Sequence, residues 1–271
     1  MSTTSPCLAA VVATVMTTLT PGLASQRLGT REGSRATLPD WSGAWIIPFQ
    51  NFGQENVRLR IPDDPSAPRL TPPYAALMDE TRRGLAARDP GRLGGAGEAV
   101  AGATGPRRRL NSEDCLPTGM PNVMRYAFAI EFLFTPGRVT ILLENDDSSV
   151  RRIYTDGRAH SDDPDPSYNG ESIGHWEGQT LVVHTIGISP RAELVAGVPT
   201  SGRTTVTERI HLVDKNHLQI DSVIEDPLAL REPWRATRVY VRTEPVFFER
   251  ICLDNNREGR GDVPNLTPPK P

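Results

Sequence analysis

The stretch that decides the fold is Phe128-Ala-Ile-Glu-Phe-Leu-Phe134, which is followed after Thr135-Pro-Gly137 by Arg138-Val-Thr-Ile-Leu-Leu-Glu144. Apolar and polar residues alternate along both runs, and a period of two predicts strands that bury one face. The Pro-Gly pair between them is typical of a turn. The two runs therefore predict a pair of antiparallel β-strands.

Strand-like runs of the same kind precede and follow this pair, separated by turn signals of hairpin length. The other predicted strands are 40–47, 149–154, 172–176, 180–188, 204–213, 217–225, 234–242 and 246–252. This pattern predicts an all-β, antiparallel meander of about nine or ten strands. Closing into a barrel removes the sheet edges, and a flat sandwich is the alternative. Since no repeat of 20–50 residues is present, a propeller or solenoid is not expected.

The region before the meander lacks its regular succession of strands and turns. We expect residues 26–125 to supply an N-terminal arm, the first strand, one short helix and long covering loops, and residues 258–271 to form a tail. The helix is predicted over Leu70–Arg83, with Thr71 as N-cap and Pro72 at the first helical position. The Gly/Ala-rich run from Gly91 to Gly105 predicts a mobile segment. Residues 40–257 are thus expected to form a single domain, with the barrel itself in 126–257.

Composition limits the classes of partner. The 271 residues include 30 basic and 33 acidic side chains, for a net charge of −3, and 37% of residues are hydrophobic. A chain without a one-signed field is not expected to bind nucleic acid or a membrane surface. The one basic run, Pro106-Arg-Arg-Arg109, is interpreted as a solvated loop.

The first 25 residues have the pattern of an export signal. Cys7–Leu19 forms an apolar core that is too short to span a membrane, and Gly22-Leu-Ala24 places small residues before a cleavage point. No other run is long and apolar enough for a transmembrane helix. The sequence predicts a periplasmic or secreted protein that is not lipid-anchored.

Removal of the signal leaves two cysteines, Cys115 and Cys252. An exported protein matures where disulfides persist, so we expect one bridge between them. Two buried free thiols are the alternative. A Cys–His nucleophile pair has no supporting flanking residues.

The segment from Tyr168 to His184 contains the densest group of ionisable and aromatic residues, as expected for a hairpin that lines a small-molecule cavity. We expect His175 and His184 to face each other across a turn at Glu177-Gly178. Two imidazoles with a carboxylate from one of Glu171, Glu131 or Glu144 suit an acid–base pair or a metal site. Ordinary hydrogen-bonded histidines are the other interpretation. Since no metal, phosphate-loop, dinucleotide or nucleophile-elbow motif is present, no metal and no cofactor are predicted.

Charged and polar residues also recur on one alternate face of the predicted strands. Either this face lines a barrel cavity or it is the solvent face, because a period of two does not say which side is inside. The residues are Glu131, Thr140, Glu144, Arg152, His184, Glu208, Glu225 and Arg238.

Gly43-Ala-Trp45 resembles the first-strand signature of lipocalins, in which the Trp closes one end of the barrel and a late-strand Arg packs over it. Arg242 or Arg250 is expected to take that role through a cation–π contact. Two core tryptophans that follow turn glycines, here and at Gly174-His-Trp176, are the alternative.

A broader resemblance rests on several segments in consistent order. They are Asp40-Trp-Ser-Gly-Ala-Trp45, Leu70-Thr-Pro72, Cys115-Leu-Pro-Thr-Gly-Met-Pro121, Thr135-Pro-Gly-Arg-Val-Thr140, Arg151-Arg-Ile-Tyr-Thr-Asp-Gly-Arg158, Tyr168-Asn-Gly170, Trp176-Glu-Gly178 and Cys252-Leu-Asp-Asn-Asn-Arg257. Together they resemble a large family of exported bacterial proteins of unassigned function. The resemblance implies a lipocalin-like, calycin-type β-barrel.

The chain departs from the family's pattern at ionisable positions. Glu171 stands for a His, His175 for an Arg, Gln179 and His184 for Asp residues, and Thr200 for a His, while the Gly, Trp and Val framework is kept. Altered chemistry on one scaffold and relaxed constraint both account for such exchanges.

The function expected from these features is a cofactor-free lyase, isomerase or cyclase that transfers protons on a small, largely apolar organic molecule. His175 or His184 would be the base, with Tyr168, Glu131 or Glu144 as donor or orienting group. The residues expected to contact the ligand are Glu171, Trp176, Arg152, Glu208 and Arg238. A non-catalytic binding protein for a hydrophobic or aromatic ligand is the main alternative. A structural envelope protein is the third.

Overall fold

The computed structural model describes residues 38–48, 66–88, 110–125, 128–144, 149–244 and 251–252. Within these ranges the chain forms one α-helix, two short 3-10 turns and eleven strands. The helix is α1 (Pro72–Arg88), and the 3-10 turns are Asn111–Glu113 and Asn122–Arg125. The strands are β1 (Ala44–Ile46), β2 (Ile130–Thr135), β3 (Arg138–Leu143), β4 (Val150–Tyr154), β5 (Glu171–Glu177), β6 (Thr180–Ile186), β7 (Glu193–Val195), β8 (Val198–Pro199), β9 (Thr205–Asp214), β10 (His217–Glu225) and β11 (Trp234–Thr243).

Nine of these strands form a closed barrel in the order β1-β11-β10-β9-β6-β5-β4-β3-β2. The short strand β1 closes it by pairing with both neighbours, since Ala44 lies opposite Thr243 of β11 and Glu131 of β2. Strands β7 and β8 form a separate hairpin between β6 and β9. The prediction of an all-β barrel with a single helix is confirmed.

One strand pair differs from the antiparallel expectation. Strands β4 and β5 run parallel, with Ile153 opposite Ser172 and Tyr154 opposite Ile173. Parallel neighbours cannot be joined by a hairpin, so the chain must return along the sheet before β5 begins. The connection Thr155–Gly170, which we call the strap, makes this return, and it is the element that builds the site described below.

Most predicted strands lie within two or three residues of the observed bounds, and β10 matches its predicted range. The first strand is shorter than expected, while α1 continues to Arg88. At the start of α1 the Thr71 hydroxyl donates to the carbonyl of Leu228 (2.7 Å), and the Thr71 amide donates to the Ala229 carbonyl (2.9 Å). The helix is therefore tied to the loop between β10 and β11.

Alternate residues of each barrel strand fill the interior. The large buried side chains include Trp41, Trp45, Phe132, Ile153 and Tyr240. The guanidinium of Arg242 lies over Trp45, with its central carbon 4.3 Å from the ring centroid, and Arg242 also donates to the carbonyls of Ser42 and Asp40. The expected packing of a late-strand Arg on Trp45 is confirmed.

One end of the barrel is covered by the segment Leu110–Arg125, which we call the cap. The Met120 amide donates to the carbonyl of Tyr168 (2.8 Å), and the buried carboxylate of Glu193 accepts from the Asn111 amide (2.7 Å) and the Asn122 side chain (2.9 Å). Gly119 has a φ of +69°, and a Cβ there would lie 2.6 Å from the Tyr168 carbonyl. The Thr-Gly-Met and Tyr-Asn-Gly motifs thus meet at a contact that only glycine permits.

The predicted disulfide between Cys115 and Cys252 is present, with the Cα atoms 5.5 Å apart. No helix among the described ranges is long and apolar enough to cross a membrane. The predicted signal peptide 1–25, the start of the arm at 26–37, and residues 50–65, 91–109 and 253–271 lie outside the described residues. So do residues 246–250 of the last predicted strand and Arg250.

Candidate functional site

The strap crosses the outer face of the barrel over β5 and β6. Its far end is fixed to the end of β6, because the Ser167 amide donates to the Gly187 carbonyl (3.0 Å) and the Ser189 amide donates to the Ser167 carbonyl (2.8 Å). Pro164 packs against Gly187, where a Cβ would lie 3.0 Å from the Pro164 ring. These contacts hold His160, near the middle of the strap, above two outward-facing side chains of the sheet.

Three side chains form a hydrogen-bonded chain at this place. Nδ1 of His160 lies 2.8 Å from Oε1 of Glu171 on β5, and Nε2 of His160 lies 3.1 Å from Nδ1 of His184 on β6. The two imidazoles meet edge to face, with centroids 5.1 Å apart and an interplanar angle of 77°. We call Glu171, His160 and His184 the relay.

Glu171 is held as a carboxylate. Its pKa lies below the ordinary value, chiefly because the Ser161 hydroxyl donates to Oε2 (2.6 Å). The Ser161 amide (2.9 Å) and His160 lower the pKa further, against the opposing effect of partial burial. A carboxylate fixed by several donors is a permanent acceptor for His160.

His184 is biased toward its neutral form. Partial burial lowers the pKa of His184, and the neighbouring His160 lowers it further, while Glu225 of β10 acts in the opposite direction. An imidazole with a pKa below its usual value of about 6.5 carries a lone pair at neutral pH. This state is the one that a general base requires.

The hydrogen bonds also determine the tautomers of the relay. A carboxylate only accepts, so Nδ1 of His160 carries a hydrogen, and Nε2 of a neutral His160 is then an acceptor. Nδ1 of His184 must donate to it, which leaves the lone pair of His184 on Nε2. That nitrogen is the end of the relay and is free to accept a further proton.

The register of the β5–β6 hairpin differs from the expected facing of two histidines. His175 lies opposite Val182, while His184 lies opposite Ile173, so the two imidazoles are offset along the outer face. The His175 side chain is 66% exposed, and its Nε2 lies 3.3 Å from Oε1 of Glu177. The imidazole that meets His184 is that of His160, and all three histidines lie outside the barrel, not in its cavity.

The structure does not bring the predicted donors Glu131 and Glu144 to His184. Glu131 is on the outer face of β2, three strands from β5, or about 14 Å at the usual spacing. The buried carboxylate of Glu144 accepts from the Ala129 amide (2.9 Å) beside the start of β2. Tyr168 packs against the core below Arg191, and among the described residues its buried hydroxyl has no hydrogen-bond partner.

The residues predicted to contact a ligand separate into two groups. Glu171 and the exposed Arg152 are on the outside, whereas Trp176, Glu208 and Arg238 face the interior. Trp176 packs in an aromatic cluster with Trp41 (centroids 5.4 Å apart) and Phe134 (5.9 Å). The alternating polar set therefore does not form one continuous face.

Glu208 belongs to a polar layer inside the barrel. Arg151 makes a bidentate ion pair with its carboxylate, through Nη1 (3.1 Å) and a shorter contact from Nη2. The same guanidinium donates to the hydroxyls of Ser172 (3.3 Å) and Thr185 (3.0 Å). Both charged side chains are 1% exposed, so each charge is neutralised by its partner within the core.

A pocket lies between this layer and the cap. Its walls include Glu208 and Arg238, together with Arg125 and Ser222, and its other lining residues are Met120, Pro121, Met124, Val206, Ile220, Ile224 and Ala236. The space between them is about 10 Å³, roughly what one water molecule needs. This pocket unites two of the residues predicted to contact a ligand.

Comparisons of the chain with protein-family models, with curated proteins and with solved structures give no match. The resemblance drawn from the sequence motifs therefore stays a prediction. Within the described ranges, no group of three or more His, Cys, Asp or Glu residues has the arrangement of a metal site.

The sequence did not single out two residues of these polar groups, His160 and Arg151. His160 lies in a loop with no local motif, and only the parallel course of β4 and β5 carries it to His184. Arg151 was missed because β4 has an Arg on each face. Residues two apart in a strand share a face, so the apolar Ile153 favours Arg151, and not Arg152, as the interior residue.

Proposed function

We propose that this protein is a cofactor-free enzyme of lyase or isomerase type that transfers protons on a small organic molecule, with His184 as its general base. The observation that supports this is the hydrogen-bonded relay of Glu171, His160 and His184. A carboxylate behind an imidazole fixes its tautomer and stabilises the imidazolium, which is the arrangement that acid–base catalysts require.

The relay moves charge away from the substrate. Nε2 of His184 accepts the proton from a C–H or O–H group, while the hydrogen on Nδ1 of His184 shifts to Nε2 of His160. The positive charge then lies on His160, 2.8 Å from the Glu171 carboxylate. Reversal of these shifts returns a proton from Nε2 of His184 to another atom of the substrate, which completes an isomerisation or an elimination. General acid–base assistance of this kind is typically worth about 10²–10⁴-fold in rate.

The experiment is a search for proton exchange. The purified protein is incubated in D₂O with a mixture of small organic acids, ketones and alcohols, and mass spectrometry then detects compounds that gain deuterium or change structure. We expect at least one compound to exchange with the wild type. We expect His184→Gln to reduce that rate by about 10²-fold or more, and His160→Gln to reduce it less.

His175→Gln is the matched control, because His175 is on the same face of the same hairpin but contacts Glu177 instead of the relay. It should keep the wild-type rate. Equal rates for His184→Gln and the wild type, or no exchange of any compound, would contradict the proposal.

The alternative is a non-catalytic carrier of a small hydrophobic ligand. The largely apolar lining of the pocket under the cap favours it, because carriers need few polar anchors. Mass spectrometry of compounds retained by the purified protein tests it. A stoichiometric ligand, released on unfolding and retained equally by His184→Gln, would support the carrier.

We propose further that the protein is exported. The disulfide between Cys115 and Cys252 supports maturation in an oxidising compartment. Residues 1–25 would be the signal that directs the chain there.

A further inference from the structure

The substrate class of the relay, which rests on the proposed function, depends on the groups that surround His184 on the outer face of the barrel. On the β5 side, Nδ1 of His184 faces His160, and the strap covers this part of the face. On the other side lie β9 and β10, which carry outward-facing side chains and no covering segment among the described residues. A molecule that reaches Nε2 of His184 therefore lies over β9 and β10.

The surface next to His184 is formed by short, uncharged side chains. The strand register places Thr207 directly opposite His184, and Val223 directly opposite Thr207. Thr205, the next outward residue of β9, is half-buried like Thr207 and Val223. These three residues form a level floor of methyl and hydroxyl groups, over which a short carbon chain can lie.

Glu225 bounds this floor on the side away from His184. It is the last residue of β10 and lies opposite Thr205, so it is two strands from His184 and two residues further along. Standard sheet spacing puts the Cα atoms of Glu225 and His184 about 11–12 Å apart. Both side chains extend outward, and the Glu225 carboxylate raises the pKa of His184, as expected of a charge at short range. The two groups thus face each other across one small site.

The charge on this side of His184 is negative. The Glu225 side chain is exposed, and its carboxylate has no hydrogen bond or ion pair within the part of the chain that the structure describes. The one arginine of β9, Arg209, contacts Glu177 at the far end of the β5–β6 hairpin (2.9 Å), so its charge is neutralised and directed away from His184. An anion beside His184 would be repelled by Glu225, whereas a cation would be attracted.

We propose that Glu225 binds the ammonium group of a short-chain amine, whose carbon chain lies over Thr207 and Val223 and whose reacting C–H or O–H group lies at Nε2 of His184. A carboxylate and an ammonium group form a charge-assisted hydrogen bond, which neutral and anionic analogues do not form. Glu225 thus determines the specificity of the site, and the relay supplies its base.

The first test measures binding without any reaction. The full-length protein is titrated at pH 8 with butylammonium, butan-1-ol and pentanoate, which share one alkyl chain, and NMR of ¹³C-labelled histidine follows His184. The His184 signal is the one that His184→Gln removes, and the ionic strength is low and constant because salt screens exposed charges. We expect butylammonium to shift this signal saturably and the other two probes to bind at least about tenfold more weakly.

Glu225→Gln should weaken butylammonium binding by at least about tenfold. Asp221→Asn is the matched control, because Asp221 is on the same face of β10 but already accepts from the Thr237 hydroxyl (2.6 Å) and the Gln219 side chain. It should bind butylammonium like the wild type. Equal binding of the three probes, absence of butylammonium binding, or equal effects of the Asp221 and Glu225 substitutions would overturn the proposal.

The deuterium-exchange experiment, with amines added to the mixture, separates this proposal from the proposed function. We expect the compound that exchanges to be an amine, and Glu225→Gln to raise its KM by at least about tenfold with a smaller change in kcat. Exchange of neutral or anionic compounds alone would overturn the ammonium site and leave His184 as a base. Butylammonium binding that Glu225→Gln removes, without exchange of any compound, would support the ammonium site and contradict the proposed enzyme.

Discussion

At the scale of single residues, Asp226 is a carboxylate with five local hydrogen-bond donors among the described residues. It accepts from the Ser201 amide (2.9 Å) and hydroxyl (2.6 Å), the Thr204 hydroxyl (2.6 Å) and the amides of Leu228 (3.1 Å) and Ala229 (2.9 Å). Burial by itself raises the pKa of Asp226, but the donors from Ser201 and Thr204 outweigh it and leave the pKa below the ordinary value. This residue joins the start of β9 to the loop on which α1 rests.

We expect Asp226→Asn to lower the free energy of unfolding by about 2–4 kcal/mol, because an amide cannot accept all of these hydrogen bonds. The stability that the carboxylate adds is present above the unfolded pKa, near 3.8, and is lost as pH falls through the lower folded pKa. Urea unfolding at pH 7 and at decreasing pH measures both effects. Asp156→Asn is the control, because Asp156 is in an exposed ion pair with Arg158, and it should change stability far less than Asp226→Asn.

The buried Arg151–Glu208 pair gives a second prediction at this scale. Glu208→Gln leaves a buried guanidinium without its carboxylate, so we expect a loss of about 3–5 kcal/mol in unfolding free energy. The double variant Arg151→Met/Glu208→Leu should recover most of that loss, since apolar side chains need no compensation. Glu177→Gln, in an exposed pair with Arg209, is the control and should lose far less stability than Glu208→Gln. A double variant that is less stable than Glu208→Gln would contradict this account.

At the scale of the elements, the strap is fastened to the sheet by groups that titrate. Protonation of His184 is opposed by its partial burial and by His160, whose Nε2 lies 3.1 Å away, so a charged His184 weakens the packing of the strap on β6. Because the folded pKa of His184 lies below its unfolded value of about 6.5, its contribution is full above that pH and is lost as pH falls toward the folded pKa. Glu171, with a lowered pKa, maintains its contacts to Ser161 to lower pH.

We therefore expect the middle of the strap to loosen as pH falls below about 6.5, while the barrel remains folded. The amide of Ser161, which donates to Glu171, is the reporter. Its hydrogen-exchange protection factor should fall over this range in the wild type and vary less in His184→Gln. His175→Gln should behave like the wild type. Constant protection down to pH 5 in the wild type would show that the relay does not fasten the strap.

At the scale of the whole molecule, the disulfide joins points that are 137 residues apart in sequence. It ties the cap to the chain that follows the last barrel strand, and in the chain-entropy model a loop of this length stabilises the fold by roughly 4–5 kcal/mol. Reduction, or the double substitution Cys115→Ser/Cys252→Ser, should lower the free energy of unfolding by up to this amount. A reducing agent should have no further effect on the double variant. Equal stability of the oxidised and reduced wild type would contradict the prediction.

Much of the fold was readable from the chain because local patterns specify it. Alternation in Phe128–Phe134 and in β10 predicted strands, turn residues predicted the hairpins, and Thr71-Pro72 predicted the start of α1. The contact between Trp45 and Arg242 was also anticipated. The β7–β8 hairpin was not, because it is short, almost wholly buried and has no alternation to reveal it.

Only part of the candidate site could be predicted from the sequence. Glu171 and His184, both predicted at the site, belong to the relay, but the predicted partner His175 does not. The period of two places both His175 and His184 on the outer face, but it does not say which of them has a partner. That depends on the segment of chain that crosses this face. The strap decided that His184, and not His175, meets another imidazole.

The sequence by itself determined the class of fold, the disulfide and the hairpin that carries Glu171 and His184, because these follow from alternation, turn chemistry and cysteine count. Only the tertiary structure decided which face of each strand is inside and which distant groups meet. The parallel pairing of β4 with β5 sends the strap across the sheet and places His160 between Glu171 and His184. Barrel closure likewise brings Arg151 to Glu208. Both contacts join residues on different elements, and the path of the backbone, not any local preference, sets the distance between them.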